Sequence, residues 1–467
     1  MKKIALLLTV TFIILCAHAL HAQKTKSLLE LQQEFVDLRF GMFIHYNIPT
    51  YMPEDWADPE ASPSLFNPTA LDCSQWARAA KSANMSYGCL TTKHHSGFCI
   101  WDTKTTDYNV MKSPYKKDVV KQYADAFRKE GLKVMLYYSI LDTHHKLRPH
   151  HITPQHIEMV KAQLTELLTN YGEITALVID GWDAPWSRIS YDEVPFEDIY
   201  LLVKSLQPNC LVMDLNAAKY PAEALFYTDI KSYEQGAGQH ISKDQNVLPA
   251  LSCLPIQDTW FWKERHPNSP VKSPQDMVNN NIVPFNKVHC NFILNVAPNR
   301  AGLMDDNALE ALKEIGKLWK NEGPLPKLKA TDAPIISSNI AKNKPSNSSW
   351  SHDSLIMDFA NDDNFNSSWI SQSSVKNPWW EVTLGINEQP FNMIVITQRE
   401  NENRIQRYRL EYRINNEWKL LTEATNSDGR IKVHRFDRVW GDKVRILIDG
   451  FSDLPVISEF GVYNERK

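Results

Sequence analysis

Beyond its first two dozen residues the chain has no long apolar run. Nothing there approaches the roughly 20 apolar residues that a helix needs to cross a bilayer, so no membrane span is expected. There is no run of Lys or Arg and no basic stripe, and the formal charge is −4. A nucleic-acid partner needs a concentrated positive face and is not expected. None of the seven cysteines forms a Cys-x-x-Cys pair, so zinc-ligand spacing is missing. The chain also has no internal repeat and no low-complexity block.

The N-terminus is the one strongly apolar stretch. Met1-Lys2-Lys3 precedes an apolar run from Ile4 to Leu15, and small residues follow at Ala17, Ala19 and Ala22. That order is the layout of a secretory signal peptide, and the run is too short to span a bilayer. An acylated lipoprotein would use Cys16, but Leu15 is bulky where such a site has a small residue. The expectation is removal of residues 1–22 and a mature chain that starts near Gln23, exported to the periplasm or beyond. Losing Lys2 and Lys3 takes the charge from −4 to −6. The remaining cysteines lie between Cys73 and Cys290 and are expected as buried thiols, although export permits a disulfide.

What is left after such removal exceeds one ordinary domain. Up to the Pro-rich stretch at 324–345, eight strand-like runs alternate with helical patterns. The runs are Phe40–Tyr46, Tyr87–His94, Lys133–Ile140, Ala176–Trp182, Cys210–Asn216, Leu225–Glu234, Leu251–Trp262 and His289–Pro298. Several are continuously apolar, as strands buried on both faces are. Amphipathic stretches lie between them, at Cys73–Ala83, Val119–Glu130, Ile157–Tyr171 and Phe196–Leu206. Eight such repeats fit a (β/α)8 barrel over residues 28–325, closed by a helix over Asp305–Asn321. Residues 326–345 read as a linker. From 346 to 467 short β-type runs dominate, at Trp379–Leu384, Met393–Gln398, Tyr408–Ile414, Arg430–Val439, Lys443–Ile448 and Ile457–Tyr463. Short strands with turns such as Asn426-Ser-Asp-Gly429 suggest an all-β sandwich.

Active residues of such barrels sit at the C-terminal ends of the strands. His45, His94, His95, Tyr137, Asp180, Trp182 and Glu234 all fall at or just past such ends, and Trp262 closes the seventh run. Two carboxylates among neutral His and Tyr suit glycoside hydrolysis. One must be ionised to meet the oxocarbenium-like centre, and one protonated to release the leaving oxygen. Each residue also has a plainer reading. Asp180 before Gly181 is often a turn former. His45 and Tyr137 alone would be packing. The pair His94-His95 could ligate a metal, but neighbours on a strand face opposite ways unless the strand ends between them.

The combination is more specific than its parts. Phe40-Gly-Met-Phe-Ile-His-Tyr46, Lys93-His-His-Ser-Gly-Phe98, Ile179-Asp-Gly181, Trp260-Phe-Trp262 and Asn291-Phe-Ile-Leu-Asn-Val-Ala-Pro-Asn-Arg-Ala-Gly302 occur in order. Together they resemble the α-L-fucosidases of glycoside hydrolase family 29 over roughly residues 30–325. The resemblance implies a (β/α)8-like fold, retention of anomeric configuration and no metal or cofactor. It implies Asp180 as nucleophile, with His45, His94, His95 and Tyr137 holding the sugar. A Glu-Trp pair of that family falls at Asp55-Trp56, so Asp55 is one methylene short, and Ser96 stands where an acid is usual. For the general acid/base the family fixes no position, and Glu234 is preferred over Glu264 and Glu223.

In the second domain, Asn366-Ser-Ser-Trp-Ile370, Pro378-Trp-Trp-Glu-Val382, Arg404-Ile-Gln-Arg-Tyr-Arg409, Lys443-Val-Arg-Ile446 and Ile457-Ser-Glu-Phe460 resemble a discoidin-like (F5/8 type C) sandwich. That fold includes carbohydrate-binding modules, but these residues mark the fold and not a sugar site, and a structural cap is the competing role. The expectation is an exo-fucosidase acting on α-1,3/4-linked fucose of glycans. The alternatives are an α-L-galactosidase of the same family and a non-catalytic glycan-binding protein.

Overall fold

The structure is a computed structural model that describes residues 25–466. The expected signal peptide, residues 1–22, lies outside the described residues.

The first domain is built on eight parallel strands, β1 Phe40–Ile44, β2 Tyr87–Lys93, β3 Lys133–Ser139, β4 Ala176–Asp180, β5 Leu211–Asp214, β6 Lys231–Glu234, β7 Ala250–Pro255 and β8 Cys290–Asn295. Their order, β5-β4-β3-β2-β1-β8-β7-β6, is that of a barrel opened between β5 and β6. The gap is bridged where Asp229 N donates to Val212 O at 2.7 Å. β1, β2, β4, β5 and β8 are buried along their whole length, which is why they read as continuous apolar runs. Side chains facing inward, among them Phe43, Tyr87, Met135, Val178, Met213 and Ile293, fill the barrel.

Five helices sit where periodicity places them, with α1, Leu28–Leu38, in front. These are α2 Cys73–Ser82, α3 Val119–Lys129, α4 Pro154–Asn170, α5 Phe196–Leu206 and, after β8, the closing helix Asp306–Leu318. Asp72 caps α2 by accepting from Ser74 N and Gln75 N, and Thr153 caps α4 by accepting from His156 N.

All the strands are shorter than the apolar runs that foretold them. The sixth run loses residues 225–230, where Phe226 bridges to Ile335 and Tyr227 N donates to Ile335 O at 2.8 Å. The start of that run, Leu225–Tyr227, therefore pairs with the segment leading to the second domain. That segment, read as a linker, buries Leu328, Ile335 and Ala341.

The second domain has a five-stranded antiparallel sheet and a three-stranded one, with a small two-stranded pair. They enclose a core of Trp369, Trp380, Phe391, Tyr408, Ile446 and Phe460. The strand Glu417–Ala424 has no apolar run to mark it, because none of its residues is buried and polar and apolar side chains are mixed along it. Among the described residues no α-helix separates β5 from β6 or β6 from β7. The sandwich packs against this stretch of the barrel. Met393, Val395 and Tyr463 belong to the barrel's outer core, and Phe365 packs edge-on against Tyr220 and Phe226 at ring-centroid distances of 5.6 and 5.9 Å.

Candidate active site

The strand ends converge on a cavity of about 310 Å³ at the C-terminal rim of the barrel. Asp180 is the last residue of β4 and accepts at both oxygens. Tyr137 OH donates to Oδ2 at 2.7 Å, and Asn216 Nδ2 donates to Oδ1 at 3.0 Å. Gly181 then turns with φ +104, a conformation that favours glycine, and a Cβ there would meet Leu141 N at 2.9 Å. The turn explains a correction. On a regular strand Trp182 would share the face of Asp180, but the turn sends it away. Trp182 is fully buried against Phe196 and Tyr191, and its Nε1 donates to Val194 O.

Glu234 ends β6 and lines the same cavity. Burial and the charge of Asp180 push its carboxyl up to about 7, and a hydrogen bond from Trp260 partly opposes the rise. The two other candidate acids lie elsewhere. Glu223 makes a two-pronged ion pair with Arg430 at 2.7 and 3.0 Å, and Glu264 pairs with Arg300 at 2.5 Å on the surface. Neither lines the cavity.

β2 ends at Lys93, so His94 and His95 lie beyond the strand and both line the cavity. Their rings are 4.1 Å apart. Burial lowers all three histidines, His45 to about 4 and His94 well below its usual value, with His95 shifted the same way despite Asp180 at 3.6 Å. They are neutral at pH 7, and the tautomers of His45 and His95 follow from their partners. Asn295 Nδ2 donates to Trp260 O at 2.7 Å, so its Oδ1 faces His45 Nδ1 at 2.8 Å. His45 Nδ1 therefore carries the proton and Nε2 is left as an acceptor. Ser139 Oγ donates to Leu141 O, so it accepts from His95 Nδ1 at 2.8 Å, and His95 Nε2 is likewise an acceptor. Bare nitrogens of this kind suit hydroxyl groups. Among the described residues no group of three or more His, Cys, Asp or Glu could hold a metal ion, and the six cysteines are buried free thiols.

Asp55 lines the cavity, but its carboxylate is already engaged. It accepts from Trp260 N at 2.9 Å and Phe261 N at 3.3 Å, and it pairs with Lys263 at 3.1 Å. Asp55 thus ties down the turn that carries Trp260. Trp260, not Trp262, faces the site. Trp262 donates from Nε1 to Asp305 Oδ2 at 2.6 Å and lies outside the cavity lining. The seventh strand ends at Pro255, so alternation could not assign residues 260–262. Trp56 lines the cavity and lies against His95 at 4.6 Å.

Sequence reasoning missed Asn216, Asn295, Phe43, Leu215, Trp186 and Trp260. Asn216 closes the fifth run, and the rim rule applied to that run would have found it.

A barrel-rim cavity with one carboxylate held by donors, a second carboxyl raised towards neutrality, acceptor histidines and aromatic walls defines a glycoside hydrolase site. The comparisons with known proteins agree. The family described as Alpha-L-fucosidase matches residues 17–324, and the F5/8 type C domain matches residues 338–460. Alpha-L-fucosidase 1 of Arabidopsis thaliana is 27% identical over 455 residues, 91% of this chain and 85% of that protein. Tissue alpha-L-fucosidase of Homo sapiens is 22% identical over 329 residues, 61% of this chain and 66% of that one. Among solved structures, a glycoside hydrolase 29 family member from an unknown rumen bacterium has a TM-score of 0.53 at 25% identity, covering 94% of this chain and 77% of its own. Alpha-L-fucosidase isoenzyme 1 from Paenibacillus thiaminolyticus gives 0.55 at 23%, covering 91% and 100%, and shares the fold. The chain belongs to the α-L-fucosidase family of glycoside hydrolases, with a C-terminal F5/8 type C domain.

Proposed function

We propose that the chain is a retaining exo-glycosidase that removes terminal α-L-fucose from glycans, with Asp180 as nucleophile and Glu234 as general acid/base. The observation that carries this is the pairing in one cavity of Asp180, held at both oxygens, with Glu234, whose carboxyl is raised to about 7. An acid poised near neutrality can both give and take a proton at pH 7. Asp180 attacks the anomeric carbon as the glycosidic C–O bond breaks, and the proton of Glu234 goes to the departing oxygen. Glu234 then takes a proton from water, which attacks the anomeric carbon and frees Asp180. In each half the substitution inverts the centre, so the product keeps its configuration. His45, His94 and His95 receive sugar hydroxyls without adding charge, and Tyr137 holds Asp180 in line.

Proton NMR of the first fucose released from 4-nitrophenyl α-L-fucoside tests the reading. The α anomer should appear first and mutarotate later. The β anomer first would overturn retention, and no nitrophenol at all would overturn the activity. Linkage to O3 or O4 of the carrier sugar is part of the proposal, and digestion of defined fucosylated trisaccharides checks it. So is export, which N-terminal sequencing of the mature protein near Gln23 checks. Among the described residues no helix is long and apolar enough to cross a membrane.

A further inference from the structure

One wall of the cavity is not explained by packing. Trp186 lines the space that holds Asp180 and Glu234, yet it is 36% exposed. Its indole has no ring contact and no hydrogen-bond partner among the described residues. The turn beneath it is tied down. Asp183 N donates to Ile189 O at 2.8 Å, Ser187 N and Arg188 N donate to Ala184 O at 3.1 and 2.9 Å, and Ser187 Oγ donates to Gly181 O. Asp183 and Arg188 sit at φ +44 and +52, which L residues adopt reluctantly. A rigid, costly turn thus presents an apolar ring to water beside the reacting carboxyls. Trp56, the other exposed tryptophan at the cavity, already rests on His95, so Trp186 is the free one.

The cavity, about 310 Å³, lies at the low end of the range for ligand pockets, about 300–1,000 Å³. It suits a single sugar ring, and the rest of a glycan must lie over the rim. A pyranose has an apolar C–H face, which a Trp ring can cover while the hydroxyl rim stays wet. Because the turn is already fixed, little ordering is required on binding.

We propose that Trp186 is the stacking platform of a subsite for the leaving sugar, the pyranose that carries the fucose. The substrate class is then a fucosyl oligosaccharide and not a fucoside of a small alcohol. This rests on the fucosidase reading above. It is tested with wild type, Trp186→Ala and Trp186→Phe on two substrates, α-L-fucosyl fluoride and a fucosyl-N-acetylglucosamine disaccharide. The ratio of kcat/KM for disaccharide over fluoride should fall about tenfold in Trp186→Ala, equivalent to about 1.4 kcal/mol, and recover in part in Trp186→Phe. Equal losses on both substrates, or no change in either, would overturn the subsite. Calorimetry on Asp180→Asn protein separates the two levels of failure. Disaccharide should bind at least tenfold more tightly than free fucose, and that margin should vanish with Trp186→Ala. Fucose binding without the margin sinks the subsite alone, whereas binding of neither sugar sinks the fucosidase reading and the subsite with it.

Discussion

Asn216 Nδ2 donates to Asp180 Oδ1 at 3.0 Å while Tyr137 OH donates to Oδ2 at 2.7 Å, so the carboxylate is fixed from β3 and from the turn after β5. Asn216 is itself held from behind, since its backbone N donates to Asp214 Oδ1 at 3.0 Å and Asp214 accepts from Tyr191 OH at 2.6 Å. A nucleophile needs orientation as well as charge. Asn216→Ala should lower kcat by about 10–100-fold, the range of a lost charge-assisted hydrogen bond of about 1.5–3 kcal/mol. KM should change much less, because the amide touches Asp180 and is not part of the cavity lining. The rate of covalent trapping by a 2-fluoro-fucosyl fluoride should fall in parallel. An unaltered trapping rate in a folded variant would show that Asn216 does not orient Asp180.

Glu234 sets a pH limit in two measurable ways. As the acid it must be protonated, so kcat/KM should decline above about pH 7. Trp260→Phe removes a hydrogen bond that lowers the carboxyl, so the basic limb should move to higher pH. Stability follows the same titration. The unfolded chain loses the Glu234 proton near pH 4.5 and the folded one near 7, so native stability contributed by the protonated carboxyl is lost as pH rises through that window. Glu234→Gln keeps the shape without the charge. Its stability relative to wild type should rise by up to about 3 kcal/mol between pH 4.5 and 8, at 1.36 kcal/mol per unit. Parallel denaturation curves at pH 5 and pH 8 with no relative gain for the variant would contradict the raised carboxyl.

Much of this architecture was legible because buried parallel strands are apolar throughout, and their ends follow one rule. Phe40–Ile44, Tyr87–Lys93 and Ala176–Asp180 delivered His45, His94 and Asp180 to one rim. Trp182 and Trp262 were placed wrongly for a single reason. Each lies beyond a point where the chain leaves the strand, at Gly181 and after Pro255, and alternation carries no information past it. Asp55 illustrates another limit. Its place in the family's Glu-Trp pair implies a sugar contact, and it does line the cavity, but its hold on Trp260, Phe261 and Lys263, some two hundred residues away, has no local signal.

Those partners make Asp55 a test of how the turn supports the site. Asp55→Ala leaves two backbone N–H groups without their acceptor, Lys263 keeps its backbone carbonyl acceptors but loses its ion-pair partner, and Trp260 loses its anchor. Because Trp260 O also holds Asn295, which fixes the His45 tautomer, the damage should spread to both walls. A 10-fold or larger drop in kcat/KM is expected, from about 1.4 kcal/mol or more of lost positioning, with the basic limb displaced upward as in Trp260→Phe. Asp55→Asn keeps one acceptor oxygen and should retain more activity. A normal pH profile in Asp55→Ala would mean that Trp260 stays in place without it.

The sandwich is joined to the barrel by a shared core, which has a consequence for unfolding. Phe365 from the second domain packs on Tyr220 and Phe226 between β5 and β6, where no α-helix covers the barrel. Arg430 from the same domain grips Glu223 with two hydrogen bonds. Phe365→Ala should therefore lower stability by about 2–3 kcal/mol, somewhat less than a fully buried Phe→Ala, because Phe365 is only partly buried. Calorimetry of the wild type should give one transition for both domains, and the variant should lower it as a unit. Arg430→Ala should cost less, about 1 kcal/mol, since the Glu223 side chain is 45% exposed and water screens the pair from that side. If Phe365→Ala instead splits the transition and leaves the barrel's midpoint untouched, the sandwich is an independent appendage and adds nothing to the stability of the barrel between β5 and β6.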